Sequence, residues 1–135
     1  MKVVFDAGVV FSGAGWRGEA HRCLQAMAHR QVIAYATLET IRELRNLIQD
    51  RGQKAMYPPE TTLSWYCDQV KLVDPSPLGK QRSRDAKDDP YLACALAAEA
   101  KIIVSRDQDL LALEKPFGIH ILTPRLLLAT LPGRV

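Results

Sequence analysis

Residues 89–107, DPYLACALAAEAKIIVSRD, join a predicted helix to a predicted strand. Asp89 and Pro90 are typical of the N-cap and the first position of a helix, and the alanine-rich run Tyr91–Ala100 favours one. The apolar run Ile102–Val104 then predicts a short buried strand, with Asp107 soon after its end. A helix-to-strand step of this kind is the repeating unit of an α/β fold.

The N-terminal third of the chain shows the same alternation. Lys2–Phe5 is a β-branched and aromatic run, which predicts a strand that ends at Asp6. Glu19–His29 has apolar residues at helical spacing, and Gln31–Tyr35 predicts the next strand. The chain therefore begins with a predicted β-α-β unit.

The remaining segments continue the alternation. Thr37 is a suitable N-cap for an amphipathic helix over Leu38–Ile48. The other predicted elements are helices at Glu60–Cys67, Asp109–Leu113 and Pro124–Leu131 and strands at Val70–Val73 and Ile119–Leu122. Strands that alternate with helices predict a three-layer α/β/α sandwich with a mainly parallel central sheet.

Size and composition predict one folded domain over residues 1–135, because 47% of the residues are apolar and 24% are charged. No apolar run approaches the roughly 18 residues that cross a bilayer, and Asp6 interrupts the first one. We therefore expect a soluble, cytoplasmic protein. A net charge of +3 permits a polyanionic partner but does not identify one.

Cysteine and histidine residues are too dispersed to suggest a zinc site. They are Cys23, Cys67 and Cys94, and His21, His29 and His120, without any Cys-x-x-Cys pair. We predict ordinary buried thiols rather than a disulfide framework. Metal chemistry in this chain would have to use oxygen ligands.

Acidic residues follow two of the predicted strands. Asp6 comes directly after the first strand, and Asp107 follows the Ile102–Val104 strand. Ligands of open α/β sheets bind at the carboxyl ends of the strands, where Asp89 and Glu43 are also expected to reach. Four carboxylates packed together would repel one another unless they held a hard cation such as Mg²⁺ or Mn²⁺.

Structural explanations compete with a metal role at several of these acids. Asp89 and Asp109 would each be explained by helix capping, and Glu43 by a solvated position on its helix. Asp88 is the alternative to Asp89. We prefer Asp89 because we expect its side chain to face the end of the strand, while that of Asp88 points into the preceding loop.

A Gly-x-Gly-x-x-Gly pattern occurs at residues 13–18, and it resembles a dinucleotide-binding loop. Its context argues against a nucleotide cofactor, because the first glycine lies well beyond the first strand and the second strand lacks a following ribose-binding acid. We predict instead that these glycines shape an exposed loop. Gly8 stands where a haloacid dehalogenase phosphatase would need a second aspartate, and the acid pair of a receiver domain is also missing.

Four segments in this order resemble the PIN domain family, and within it the toxin ribonucleases of virulence-associated toxin–antitoxin pairs. They are Val3–Asp6, Thr37–Leu44, Asp85–Ala95 and Ile103–Leu111, which together extend over most of the chain. The resemblance implies a metal-dependent ribonuclease that uses Mg²⁺ or Mn²⁺, forms a homodimer and binds a cognate antitoxin. It also implies a site of catalytic metal ligands Asp6, Glu43, Asp89 and Asp107, with Asp109 as an additional metal ligand and Ser105 orienting the ligands.

One position departs from the family pattern. Gly8 stands where the family usually has an asparagine, which leaves Ser12 or backbone amides to supply that hydrogen bond. The departure removes none of the proposed carboxylates. The alternative to an active ribonuclease is a catalytically weak or inactive PIN-like module that binds protein or RNA.

A basic segment precedes the acidic pair at residues 88 and 89. Lys80, Arg82, Arg84 and Lys87 provide four cations in eight residues, and Arg17 and Arg106 are expected to add to them. Carboxylates repel a polyanion, and cations within a Debye length of roughly 8 Å offset that repulsion. We therefore predict that these six residues bind the RNA backbone, although a solvated loop is the simpler alternative.

Apolar residues on two predicted helices suggest a homodimer independently. Glu19–His29 and Glu60–Cys67, together with Trp16 and Trp65, offer more apolar surface than one small core is expected to bury. This surplus predicts a surface that a second copy of the chain would cover.

Overall fold

A computed structural model describes residues 1–132 and contains a five-stranded, entirely parallel sheet. The strands are β1 (Lys2–Phe5), β2 (Ile33–Ala36), β3 (Lys71–Leu72), β4 (Ile102–Val104) and β5 (His120–Leu122). Their order is β3-β2-β1-β4-β5, so the chain runs outward to one edge, crosses back and then runs to the other. The predicted parallel sheet is confirmed.

Helices surround this sheet. They are α1 (Ala7–Gly15), α2 (Glu19–Ala28), α3 (Leu38–Arg51), α4 (Glu60–Gln69), α5 (Asp89–Ala98), α6 (Gln108–Leu111) and α7 (Pro124–Thr130). Short 3-10 turns cover Gly52–Lys54, Ala86–Asp88 and Pro116–Gly118. No helix within residues 1–132 is long and apolar enough to cross a membrane.

Both faces of the central strand are covered. Val3, Val4 and Phe5 in β1 are all buried, as expected for a parallel strand with helices on both sides. Helix α5 packs on β1, β2 and β4, while α1 contacts α2, α3 and α4. The predicted α/β/α architecture is therefore confirmed, and β1 lies at its centre.

Helix α1 was not predicted, and the expectation of an exposed glycine loop is wrong for Gly13 and Gly15. Both glycines are buried at the end of α1. A Cβ atom on Gly13 would lie 2.8 Å from the carbonyl oxygen of Ala20, and one on Gly15 would lie 2.7 Å from the Cβ of Ala55. These glycines are present because neighbouring chain segments approach them closely, and only Gly18 is exposed.

The predicted helix starts are confirmed at Thr37 and corrected at Asp89. The Thr37 hydroxyl accepts from the backbone N–H of Thr40 at 3.3 Å, and the Thr40 hydroxyl accepts from that of Thr37 at 3.0 Å. Helix α5 begins at Asp89 itself, with Asp88 at the N-cap position and Pro90 in the first turn. The 3-10 turn at Ala86–Asp88 leads directly into α5, so Asp89 is already helical.

The apolar surplus expected on α2 and α4 is largely absorbed within the chain. Leu24 and Met27 of α2 and Leu63 of α4 are buried in the core, and Trp16 packs edge-on against Phe11 at 5.6 Å between ring centroids. The argument for a homodimer from these residues is therefore removed, and the homodimer itself stays a prediction.

The expectation of buried thiols holds for two of the three cysteines. Cys23 and Cys94 are free and buried. Cys67 is free but exposed, because it lies on the outer side of α4 while Leu63 and Tyr66 face the core. The prediction is wrong for Cys67.

Candidate active site

The carboxyl ends of β1 and β4 bring Asp6 and Asp107 together. Phe5 pairs with Val104 across the two strands, and the backbone N–H of Asp6 donates to the Val104 carbonyl at 3.0 Å. Ser105 connects the two acids, because its hydroxyl donates to Asp6 Oδ2 at 2.6 Å and accepts from the Asp107 N–H at 2.9 Å. Its predicted role in orienting the acids has this geometric support.

Both carboxylates also cap helices. Asp6 Oδ1 accepts from the Gly8 N–H at 2.7 Å at the start of α1. Asp107 Oδ1 accepts from the Asp109 N–H at 2.8 Å at the start of α6, so Asp107 and not Asp109 caps that helix. Capping fixes the orientation of each carboxylate, and each oxygen retains a further lone pair for a ligand.

Gly8, which stands where the family usually has an asparagine, contacts Asp6 through its backbone. Its backbone N–H already supplies one hydrogen bond to the carboxylate, and a Cβ at this position would lie 3.3 Å from Asp6 Oδ1. The Ser12 hydroxyl accepts from Arg106 Nη1 at 3.3 Å and keeps its own proton to donate.

Glu43 reaches the site from α3 and is accompanied by Tyr91 of α5. Tyr91 is buried, and its hydroxyl oxygen accepts from the Ala7 N–H at 3.1 Å, next to Asp6. The pKa of Glu43 is raised, first by burial and then by the charge of Asp6, while a hydrogen bond from Tyr91 partly lowers it. Glu43 therefore lies within electrostatic range of Asp6, and Tyr91 is a neighbour of both that the sequence did not predict.

The side chains of Asp88 and Asp89 point in the opposite directions from those that the sequence predicted. Asp88 is 5% exposed, and burial, followed by the charge of Asp107, raises its pKa to about 6. Asp89 instead accepts the backbone N–H groups of Arg82 at 2.8 Å and Ser83 at 2.7 Å. The expectation that Asp89 faces the strand end and Asp88 the loop is thus wrong. The N-cap of α5 is Asp88 rather than Asp89, and a shift of one residue along a helix turns a side chain by about 100°.

Ser83 was also not predicted to be part of the site. It is 2% exposed, and its hydroxyl donates to Asp88 Oδ2 at 3.2 Å. Because its backbone N–H holds Asp89, this single residue fixes both neighbouring acids. Nothing in the sequence around Ser83 signals this role, since it depends on the path of the loop.

The acidic cluster consists of Asp6, Glu43, Asp88 and Asp107, and Asp109 lies at its outer side with Asp85. One oxygen from each of Asp85, Asp88 and Asp109 falls within 4.8 Å of the others. Asp109 Oδ1 also lies 3.5 Å from Nη2 of Arg84, so part of its charge is balanced. Asp85 was not predicted as a site residue, although three aspartates within residues 85–89 were a visible signal.

Within residues 1–132, no ion pair involves Asp6, Glu43, Asp88 or Asp107. The pKa of Asp6 is raised, first by burial, with a further contribution from Asp107, while Ser105 and Gly8 lower it. The three ion pairs within residues 1–132 involve other acids, Glu19 and Asp109. A cluster of carboxylates with these properties fits a hard divalent cation, which prefers oxygen ligands and would favour their charged forms.

One known protein family matches most of the chain. The family model described as PIN domain matches residues 2–109. The chain belongs to the PIN domain family. PIN domains are generally nucleases and typically use a divalent metal, and this PIN domain has a cluster of acids that could bind such an ion.

Two solved structures resemble this PIN domain in fold. PAE2754 from Pyrobaculum aerophilum is 19% identical with a TM-score of 0.65, and the match covers 96% of this chain and 88% of that one. FitAcB from Neisseria gonorrhoeae is 14% identical with a TM-score of 0.54, over 91% of this chain and 98% of that one. No curated protein matches the sequence.

The cations that were expected to bind RNA do not all lie together on the PIN domain. Lys80, Arg82, Arg84 and Lys87 lie exposed in the segment that leads to Asp88. Arg84 pairs with Asp109, and the charge of Lys87 lowers the pKa of Glu43, so both stand beside the acids.

The two remaining cations are held by other contacts. Arg106 follows Ser105 and binds Ser12 of α1. Arg17 stacks on Tyr57 with 3.9 Å between its guanidinium carbon and the ring centroid. Because Arg17 lies beyond the end of α1, about 15 Å along the helix from Asp6, it is placed apart from the other cations.

Proposed function

We propose that this PIN domain is a metal-dependent endoribonuclease and the toxin of a toxin–antitoxin pair. The observation that carries the proposal is the meeting of Asp6 and Asp107 at the carboxyl ends of β1 and β4, where the Ser105 hydroxyl joins them. Burial raises the pKa of Glu43 and of Asp88, and both lie near enough for the charge of Asp6 to raise it further. Helix capping explains Asp6 and Asp107 one by one, but it does not explain why further acids gather beside them, since burying like charges together is unfavourable.

Each acid has a distinct role in the proposed site. Asp6 and Asp107 are the central metal ligands, since Ser105 and the helix starts fix their carboxylates. Glu43 completes the site from α3, with Tyr91 as its positioning residue. Asp88 takes the place that the sequence assigned to Asp89, and Asp89 holds the loop at Arg82 and Ser83.

Asp109 and Asp85 would hold an ion only at the outer side of the cluster, together with Asp88. When bound, Mg²⁺ or Mn²⁺ would activate water and stabilise the leaving oxygen of the phosphodiester. The carboxylates named above would hold the metal, and the exposed cations beside them would hold the phosphate backbone.

RNA as the substrate rests on the family resemblance and on the position of the cations. Lys80, Arg82, Arg84 and Lys87 border the acidic cluster, where they would offset its repulsion of a phosphate backbone. Contacts of this kind carry no sequence information, so they would bind different RNAs similarly.

The proposed partners and location also come from the resemblance. We propose a single domain over residues 1–135 that acts in the cytoplasm, forms a homodimer and is inhibited by a cognate antitoxin. Light scattering at micromolar concentration tests the homodimer, and a monomeric mass would contradict it.

The proposed function is tested by incubating purified protein with labelled RNA. We expect cleavage with Mn²⁺ or Mg²⁺, no cleavage in EDTA, and loss of cleavage in Asp107→Asn. Asp50→Asn, the same change at an exposed aspartate on α3, is the matched control and should cleave normally. Mn²⁺ binding without cleavage of any RNA would favour the inactive binding module instead, and equal cleavage by Asp107→Asn would indicate a contaminating nuclease.

A further inference from the structure

Arg82 and Phe117 form a cation–π pair that joins the loop leading into α5 to the turn before β5. The guanidinium carbon of Arg82 lies 5.0 Å from the ring centroid of Phe117. The same guanidinium donates to the Leu78 carbonyl oxygen from Nε at 3.2 Å and from Nη2 at 2.9 Å. These two hydrogen bonds hold the guanidinium in position near the ring.

Phe117 is unusual in both exposure and backbone conformation. Its side chain is 44% exposed, although an aromatic ring gains most by burial. Its φ and ψ of 54° and 26° are left-handed, and the nearby Glu114 and Lys115 also have positive φ values of 52° and 61°. Residues with side chains adopt this region rarely, and such strain concentrates at functional sites.

The pair is connected to the acids by a short path. Arg82 precedes Ser83, whose hydroxyl binds Asp88, and the Arg82 N–H itself binds Asp89. Since consecutive Cα atoms are about 3.8 Å apart, the loop that carries the guanidinium begins directly at the acidic cluster. The charge of Arg82 is also available to a ligand, because the ion pairs within residues 1–132 do not include it.

We propose that Phe117 and Arg82 form a stacking platform for an unpaired base of a single-stranded RNA that leads away from the acidic cluster. This inference rests on the proposed function and names the form of its substrate. Aromatic rings and guanidinium planes stack on bases of any sequence, and they do so only where the base is not already stacked in a duplex. Lys80 and Lys115, both exposed, would contact the neighbouring phosphates.

A purely structural role explains these observations less well. A pair that only fastened the loop to residues 116–118 would be stronger if the ring were buried, and it would not require a left-handed Phe117. Exposure of the ring beside a fixed guanidinium is what a stacking surface needs.

The test measures RNA binding in an Asp6→Asn background in EDTA, where cleavage is blocked and one repelling charge is removed. Phe117→Ala should weaken binding of a short single-stranded RNA by about 5- to 100-fold, the range that base stacking gives, and leave binding of the matched duplex unchanged. Phe117→Tyr, which keeps the ring, should bind like the parent. Leu126→Ala, at a side chain that is 50% exposed on α7, is the control for loss of an exposed apolar group.

A double-mutant cycle that combines Phe117→Ala with abasic RNAs separates base stacking from a structural effect of the substitution. The loss caused by Phe117→Ala should disappear when one particular nucleotide lacks its base and persist when any other does. Phe117→Leu serves the same purpose if Phe117→Ala does not fold. A loss that is equal for all abasic RNAs, or no loss at all, overturns the platform.

The outcome also separates the platform from the proposed function. If the unmutated protein cleaves RNA and Phe117→Ala binds it normally, only the platform is wrong. If the unmutated protein cleaves no RNA and the Asp6→Asn parent binds none, the ribonuclease proposal fails and the platform fails with it.

Discussion

The end of the β1–β4 strand pair and the loop that leads into α5 both carry acids, but their positions are determined differently. At the strand ends, Asp6 and Asp107 lie where the sequence predicts, with Ser105 between them. In the loop, Asp88 and Asp89 have opposite orientations from those predicted. Hydrogen-bonded register fixes a residue after a strand, whereas a shift of one residue at a helix start turns a side chain by about 100°.

The largest expected effect shows which of Asp88 and Asp89 binds the metal ion. Asp88→Asn should lower Mn²⁺ affinity at least about a hundredfold, more than the loss of an outer hydrogen-bond partner causes. Asp89→Asn should change Mn²⁺ affinity little and instead lower the free energy of unfolding by about 1–3 kcal/mol, because it weakens two charge-assisted bonds to the loop. Calorimetric Mn²⁺ titration and urea unfolding measure the two quantities. The reverse pattern would restore Asp89 as the metal ligand.

The pH dependence of metal-free stability tests the burial of Asp88. Its folded pKa of about 6 exceeds its usual 3.8, so the folded state retains a proton that the unfolded state loses between these values. Stability contributed by that proton is present below pH 3.8 and is lost as the pH rises through 6. The stability advantage of the unmutated protein over Asp88→Asn should therefore fall by about 3 kcal/mol across this range, at roughly 1.4 kcal/mol for each pKa unit between 3.8 and about 6.

Urea unfolding in EDTA at several pH values measures that difference. Asp50→Asn, at an exposed aspartate, should show no such trend relative to the unmutated protein. Saturating Mn²⁺ should remove the trend, because carboxylates bind metal in their deprotonated form. Identical pH profiles of the unmutated protein and Asp88→Asn would show that Asp88 is not perturbed by burial.

Ser105→Ala tests the hydrogen bonds at the strand ends. The change removes the donor to Asp6 and the acceptor for the Asp107 N–H, so Mn²⁺ affinity should fall about 10- to 100-fold. Ser12→Ala is the matched control, since that hydroxyl contacts Arg106 rather than an acid of the site. Equal affinities for Ser105→Ala and Ser12→Ala would mean that the strand register alone positions the two acids.

Tyr91→Phe should have the smallest effect, because it removes one hydroxyl and keeps the ring. The Ala7 N–H would lose its acceptor and Glu43 a donor, which should cost about 1 kcal/mol of unfolding free energy and a few-fold in Mn²⁺ affinity. Tyr66→Phe, at a tyrosine buried beside Cys67 and Cys94, is the control and should leave Mn²⁺ affinity unchanged. A Tyr91→Phe protein that loses stability but no Mn²⁺ affinity would limit Tyr91 to a structural role.

The glycines of residues 13–18 show a second limit of sequence reasoning. Their spacing matched a loop pattern, yet Gly13 and Gly15 belong to α1. A glycine that permits a turn and a glycine that permits close packing look the same in one sequence. The distinction came from the 2.8 Å and 2.7 Å that separate their missing Cβ positions from Ala20 and Ala55.

The sequence by itself determined the alternation of strands and helices, the parallel sheet and the placement of Asp6 and Asp107 at one edge. These features follow from local patterns of apolar residues, because a short apolar run indicates a buried strand and shows where that strand ends. Only the tertiary structure decided that Asp88 and Tyr91 lie beside the strand-end acids, that Ser83 holds the loop and that the Arg82 guanidinium lies near Phe117. Those contacts join residues from different elements, whose distances are set by packing and by the path of a loop rather than by any periodicity in the chain.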